Sequence, residues 1–447
     1  MGPGSLHTRL PALRSGQDRE ILRLAVPALG ALVAEPLFLL GDSAIVGRLG
    51  TAPLGGLGVA GNILTTVVNL CVFLAYGTTA AVSRRIGAGD RAGAVRQGVD
   101  GLWLAAGLGV VLVCVGEPLV PYAVGLLGGA AGVAPYAVAY LRIGLLGLPG
   151  MLVVLAGTGV LRGLLDTRTP LVVAVAASVV NLGLNALLVL GLHWGIRGSA
   201  SGTALAQTGS AAVYVAVVVR GVRRHGVGLL PDRRGVVASM AAGAGLFVRT
   251  ALLRVTLLAA TAVAARIGTD AIAAYQVSFA VWSLLALALD AVAIAGQALI
   301  GRFLGAGDVA GARAATRRMV EWGAGVGVLV GLVVVALHTS LPYGFSTDRH
   351  VRTLIATALL VVAVLQPLAG VVFALDGILI GAGDSTYLAV ASIVSTAVFL
   401  PVALAVLSAG GGLTWLWAAI GVWMVARFLT LWLRARGGRW LVTGARR

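Results

Sequence analysis

Twelve stretches of the chain are long and apolar enough to cross a bilayer, and short polar segments separate them. They run roughly over 21–46, 54–82, 98–120, 134–161, 169–192, 199–219, 238–265, 271–300, 319–341, 353–380, 386–409 and 413–433, where a helix needs about 20 such residues to span the hydrocarbon core. Several exceed that minimum, which leaves room for tilt. The first begins near Ile21, is too long for the apolar region of a signal peptide, and has no A-x-A cleavage site at a suitable distance. The pattern predicts an all-α polytopic membrane protein.

Three polar segments recur at a single offset. Arg48-Leu-Gly-Thr-Ala matches Arg266-Ile-Gly-Thr-Asp, the Gly87-Ala-Gly-Asp turn matches Gly305-Ala-Gly-Asp, and Gly159-Val-Leu-Arg-Gly matches Gly377-Ile-Leu-Ile-Gly, each 218 positions on (266 minus 48). Six helices per repeat give both halves the same orientation. The expected architecture is therefore two six-helix lobes related by a pseudo-two-fold along the membrane normal, as in many secondary transporters. The domains expected are a mobile cytoplasmic tail over 1–17, an N-lobe over 18–224 and a cytoplasmic linker over 225–237. A C-lobe follows over 238–436, then a basic cytoplasmic tail over 437–447.

Composition narrows the function. Hydrophobic residues make up 59% of the chain and charged residues 11%, against about a quarter charged in soluble proteins. A soluble enzyme, a disordered chain and a nucleic-acid-binding protein are poor readings. The net charge of +17 comes entirely from arginine, since the sequence holds no lysine. With both termini inside, 24 arginines fall on inner segments and 5 on outer ones, a strong positive-inside bias. The charge is thus a topology signal, with added attraction to anionic lipid. Cys71 and Cys114 lie in apolar runs, too few for a disulfide framework and without metal spacing. No H-E-x-x-H or G-x-S-x-G motif occurs, and without lysine a Walker A motif is impossible. No enzyme activity, organic cofactor or metal is expected.

Charged groups inside spans are expensive and default to functional hypotheses. Glu35 and Asp42 lie seven apart in the first span, hence on one helix face, and Pro27 and Pro36 interrupt the same helix as candidate hinges. Asn181 and Asn185 share a face of the fifth span, and Thr203 lies in Gly198-Ser-Ala-Ser-Gly-Thr of the sixth. Their oxygens could form a hard-cation or proton-relay cluster, or simple interhelical hydrogen bonds. Tyr140, near the start of the fourth span, suits an interfacial anchor. In the second half, Asp290 and Gln297 share a helix face, and Asp376 follows a Gln366-Pro367 break. Arg142, Arg249, Arg254 and Arg427 are the cations inside spans, and Arg249 or Arg254 could neutralise Asp290 and Asp376. The aspartates at the repeated turns, Asp90, Asp308, Asp166 and Asp384, read as helix caps.

Together, Ala34-Glu-Pro-Leu-Phe-Leu-Leu-Gly-Asp-Ser-Ala-Ile-Val-Gly, Gly159-Val-Leu-Arg-Gly-Leu-Leu-Asp-Thr, Leu289-Asp-Ala-Val-Ala-Ile-Ala-Gly-Gln and Leu375-Asp-Gly-Ile-Leu-Ile-Gly-Ala-Gly-Asp resemble the multidrug and toxic compound extrusion (MATE) family, in its DinF-like branch. The resemblance covers essentially the whole chain. It implies efflux of a small organic substrate, often cationic or amphipathic, in exchange for H⁺ or Na⁺. It places the coupling carboxylate on Asp42, with Tyr140, Asn181 and Thr203 as polar partners. A second acid of some relatives falls on Asn185, which removes a negative charge. In the NorM-like branch a glutamate of the seventh span works with an aspartate of the tenth; Asp376 matches the latter, but the seventh span offers Arg249 and no acid. The expected protein is a monomeric multidrug antiporter of the bacterial plasma (inner) membrane, embedded in the lipid bilayer, with both termini cytoplasmic and no nucleic-acid partner. The alternative is a flippase of lipid-linked intermediates, for which Arg142, Arg249 and Arg254 would bind phosphate.

Overall fold

Among the described residues of the computed structural model (5–126 and 132–445, with side chains from residue 16), every regular element is helical. The first half holds α1 (Ser5–Gly47), α2 (Thr51–Leu70), α3 (Phe73–Gly87), α4 (Arg91–Leu126), α5 (Ala134–Leu146), α6 (Leu148–Gly163), α7 (Arg168–Asn185) and α8 (Gly195–His225). The second holds α9 (Arg233–Ile267), α10 (Thr269–Gly305), α11 (Val309–Leu337), α12 (Arg349–Gly381), α13 (Ser385–Ser408) and α14 (Leu413–Arg436). Helices α2 and α3 form one span over Thr51–Gly87, and α5 and α6 meet at a bend of 50° as a broken span. Counting that pair as one span gives the twelve crossings that the apolar runs predict.

The repeat reappears in the helix boundaries. Helices α2, α4 and α8 start at Thr51, Arg91 and Gly195; α10, α11 and α14 start 218 positions later at Thr269, Val309 and Leu413. It reappears in packing too. A methyl group on Gly159 would lie 2.5 Å from the carbonyl oxygen of Ala75, and one on Gly377 would lie 2.4 Å from that of Ala293. In both halves a bare glycine lets two helix backbones touch, which is how small residues drive helix association in lipid. We expect Gly377→Val to force the α10–α12 contact open and to cost about 1–3 kcal/mol by overpacking. A thermal melt in detergent checks this, with Gly58→Ala as control, because a methyl there meets nothing within 4 Å.

Packing divides the chain into two units, and their boundaries cut through helices. One unit joins the chain up to Leu29 with Val248–Ala445; the other is Gly30–Phe247. Helix α1 is thus shared at Leu29/Gly30 and α9 at Phe247/Val248, again 218 positions apart (247 minus 29). The start of α1 is held in the first unit by Ile21 and Leu24, which are buried, and by ion pairs. Arg302 donates to Glu20 (3.0 Å), while Arg318 (2.7 Å) and the Trp322 indole (2.8 Å) donate to Asp18. The start of α9 is held in the second unit, where Gln97 donates to Ser239 at 2.8 Å and the Phe73 and Phe247 rings meet edge to face. Residues 18–29 and 238–247 therefore each pack with the unit opposite to the lobe the repeat suggested.

The segments read as a linker and as tails also take definite form. Between α8 and α9 the chain is tied to α4: Asp232 N–H donates to Asp100 (2.9 Å), Arg96 to the carbonyl of Gly228 (3.2 Å) and Trp103 to that of Leu229 (2.9 Å). Helix α1 already starts at Ser5, inside the stretch expected as a tail; residues 1–4 and 446–447 of the two expected tails lie outside the described residues. After α14 the Trp440 side chain is buried and donates to the carbonyl of Ala435 at 2.9 Å. Capping holds for three of the four turn aspartates. Asp90 accepts from Gly93 N–H (2.8 Å), Asp308 from Gly311 N–H (2.7 Å), and Asp166 from Arg168 and Thr169 N–H (3.0 Å each). Asp384 departs from that expectation. Its carboxylate takes Arg434 of α14 at 2.7 Å and caps no backbone, because the guanidinium competes successfully for it.

Candidate functional site

Asp42 lies five residues before the end of α1, within the unit Gly30–Phe247, and is 1% exposed. A carboxylate in an apolar interior must find donors. It finds two neutral ones, accepting from the Asn185 amide at 2.6 Å and from the Ser199 hydroxyl at 2.7 Å. The local folding of α7 explains how Asn185 arrives there. The α-helical pattern ends at Asn185 and widens into a π-helical turn over Ala186–Gly191, a feature that recurs at functional sites. Across from it, a methyl on Gly202 would fall 2.2 Å from the Asn185 side-chain oxygen. Only glycine at 202 admits that amide between α7 and α8.

Asn181, Thr203 and Tyr140 are buried in the same unit, and the Tyr140 hydroxyl stands beside Thr203 and Ser199. Among the described residues, two buried side-chain oxygens in this unit, Asn181 Oδ1 and Asn185 Oδ1, carry no hydrogen bond. Asp42 has no arginine partner among the described residues. The cluster is thus a buried carboxylate, two neutral donors that hold it, and spare oxygens. Chemically it can take up a proton or a small hard cation.

Most residues singled out in the first half meet here, with two corrections. Tyr140 is a buried member of the cluster rather than an interfacial anchor, with its hydroxyl beside Thr203 and Ser199. Glu35 shares the helical stripe of Asp42 but is exposed and makes no hydrogen bond or ion pair among the described residues. Periodicity fixes direction about the axis, and two turns away the neighbouring helices differ. Pro27 falls two residues before the boundary that divides α1, and Pro36 lies within the stretch that leads to Asp42. Ser199 was missed. The available signal was its spacing: it precedes Thr203 by one helical turn, in the motif already noted.

The second cluster lies in the other unit. Asp376 of α12 is buried, and its carboxylate accepts from two nitrogens of Arg249 of α9, Nε at 3.1 Å and Nη2, and from Arg427 of α14 at 3.1 Å. Arg427 also stacks over the Trp423 ring, 5.1 Å from its centroid. Neutralisation by arginine was one of two expectations for Asp376; the partners are Arg249 and Arg427, not Arg254. Asp290 is half-buried and has a partner of its own. Gln297 is buried where α10 meets α12, so it does not share the surroundings of Asp290 despite sharing its stripe. Arg142 pairs at 3.2 Å with Glu117 on an exposed edge.

Comparison with known proteins follows the same outline. The MatE family model matches residues 27–187 and 246–405, one copy in each half of the repeat. Protein DETOXIFICATION 44, chloroplastic, of Arabidopsis thaliana is 30% identical, over 94% of this chain and 83% of its own length. DNA damage-inducible protein F of Escherichia coli (strain K12) is 30% identical, over 96% of this chain and 95% of its own. The probable multidrug resistance protein NorM of Thermotoga maritima is 23% identical, over 82% and 80%. Among solved structures, that described as MATE in the bent conformation superposes with a TM-score of 0.86 at 22% identity, covering 95% of this chain and 96% of that one.

Proposed function

Because the chain belongs to the MatE family of multidrug efflux transporters, we propose that it is a secondary antiporter that exports a small organic substrate against an inward flow of H⁺ or Na⁺, with Asp42 as the coupling carboxylate. It is a multi-pass membrane transporter and not an enzyme. The observation that carries the proposal is the contrast between the two buried clusters. Asp376 is already neutralised by Arg249 and Arg427. Asp42 is buried with neutral donors only, beside unused oxygens. A carboxylate that a fixed arginine neutralises is a poor carrier of a mobile cation, whereas one with neutral neighbours gains most from binding one.

The coupling runs by mutual exclusion. Substrate is held while Asp42 is ionised. Arrival of the cation neutralises Asp42, loosens the Asn185 and Ser199 hydrogen bonds and lets α1 bend at Pro27, whose ring nitrogen has no N–H to give to the helix. Substrate is then released outward. One charge moving inward contributes about 2.3 kcal/mol per 100 mV of membrane potential. The arginine asymmetry supports cytoplasmic termini, and the proposal adds a bacterial inner membrane and a chain acting as a monomer. A green fluorescent protein fused after Arg447 should then fluoresce in cells, and a dark but fully expressed fusion would reverse the topology.

Efflux of a fluorescent organic cation from proteoliposomes under separately imposed pH and Na⁺ gradients tests the exchange itself. Export driven by at least one inward cation gradient is expected; export at the same rate without either would exclude antiport. Asn185→Asp should place a second carboxylate within hydrogen-bond reach of the first. Two such groups cannot both stay charged without a cation between them, so this variant should acquire a stronger Na⁺ dependence than the wild type in the same assay.

A further inference from the structure

Away from both clusters, α11 carries a groove of about 230 Å³ lined by Arg318, Glu321, Trp322, Gly325, Val326 and Leu329. Arg318, Trp322, Gly325 and Leu329 follow one another by four, three and four positions, so they form a single stripe along the helix. The stripe is charged at one end and apolar at the other. Its floor is open at Gly325, where a methyl would meet nothing within 4 Å, and Leu329 is exposed.

The charged end has unspent capacity of both signs. Glu321 takes an N–H of Arg318 on one oxygen, and its other oxygen, Oε1, accepts no hydrogen bond among the described residues. Arg317, one helical turn before Glu321 and just outside the groove's lining, is exposed and engages no acceptor among the described residues. The guanidinium of Arg318 is itself taken up by Asp18 and Glu321. A ligand that fits must bring an N–H donor for Glu321, an anionic group for Arg317 and an apolar chain for the trough.

We infer that this groove binds one zwitterionic phospholipid of the surrounding bilayer with a primary-amine headgroup. Its ammonium donates to Glu321, its phosphate faces Arg317, and one acyl chain runs along Gly325, Val326 and Leu329. A choline headgroup has no N–H or O–H to donate, and a glycerol headgroup donates an O–H without a positive charge, so only the ammonium offers Glu321 a charge-assisted hydrogen bond.

Native mass spectrometry of the full chain reads this with phosphatidylethanolamine, phosphatidylcholine and phosphatidylglycerol of identical acyl chains. The ethanolamine lipid should be retained about tenfold better than either of the others, the value of one charge-assisted hydrogen bond. Glu321→Gln, a surface change that leaves the melting temperature in place, should erase that preference. Gly325→Leu should fill the trough and lower retention of all three. Equal retention of the choline lipid, better retention of the glycerol lipid, or a preference that survives Glu321→Gln would each overturn the assignment. Retention is measured with no gradient present, so the outcome is separate from that of the transport assay.

Discussion

In proteoliposomes the Asp42→Asn variant will lose cation-driven export of the organic substrate down to the level of protein-free vesicles, while its melting temperature stays within a few degrees of wild type. The asparagine keeps the volume of the side chain and one carbonyl oxygen. It can still accept from Ser199 or from Asn185, which now reach a carboxylate at 2.7 and 2.6 Å. What it cannot do is change its charge. If coupling needs that change, no residual exchange is possible however well the fold survives. Ser199→Ala makes the complementary case. It removes one of two donors but leaves the carboxylate, so export should fall by about tenfold, the worth of a hydrogen bond to a charged group, rather than vanish. Export rates under an imposed pH gradient, with each variant reconstituted at matched density, distinguish the two.

Arg249→Ala will be strongly destabilising. The Asp376 carboxylate is buried, and two nitrogens of the Arg249 guanidinium, Nε and Nη2, donate to it. Breaking a buried pair on one side leaves a charge that water cannot reach, and such changes cost about 3–5 kcal/mol. Arg427 still donates to Asp376, so the lower part of that range is expected. The double variant Arg249→Gln with Asp376→Asn leaves Arg427 as a buried cation without its carboxylate and should recover none of the loss. Thermal melts in one detergent read both. A single variant that melts like wild type would show that the pair contributes nothing to holding α9 against α12.

These two clusters differ in how far they were legible beforehand. Asp42 stood out because an acid in an apolar run needs a reason, and Asn181, Asn185 and Thr203 followed from helical spacing. Ser199 did not, since a serine among glycines and alanines has the pattern of ordinary close packing in membranes. The pairing of Asp376 with Arg249 was one of the open readings. Arg427 was visible only as a cation, because it lies 51 positions from Asp376 and its approach depends on the rotation of α14. The 218-residue repeat was legible in its turns, and the helix starts follow it. The division of α1 and α9 between units was not. Leu29-Gly30 and Phe247-Val248 each sit inside a single span, and the partners of Asp18, Glu20 and Ser239 reveal on which side each end packs.

The most direct test of mutual exclusion needs no vesicle. Substrate added to the purified chain in weakly buffered detergent solution should release the coupling cation, read as a pH change or, with Na⁺ present, by a sodium electrode. Wild type is expected to release about one cation per substrate bound, and Asp42→Asn is expected to bind substrate while releasing none. Equal release from both proteins would contradict the account, for the cation would then reside somewhere other than on Asp42.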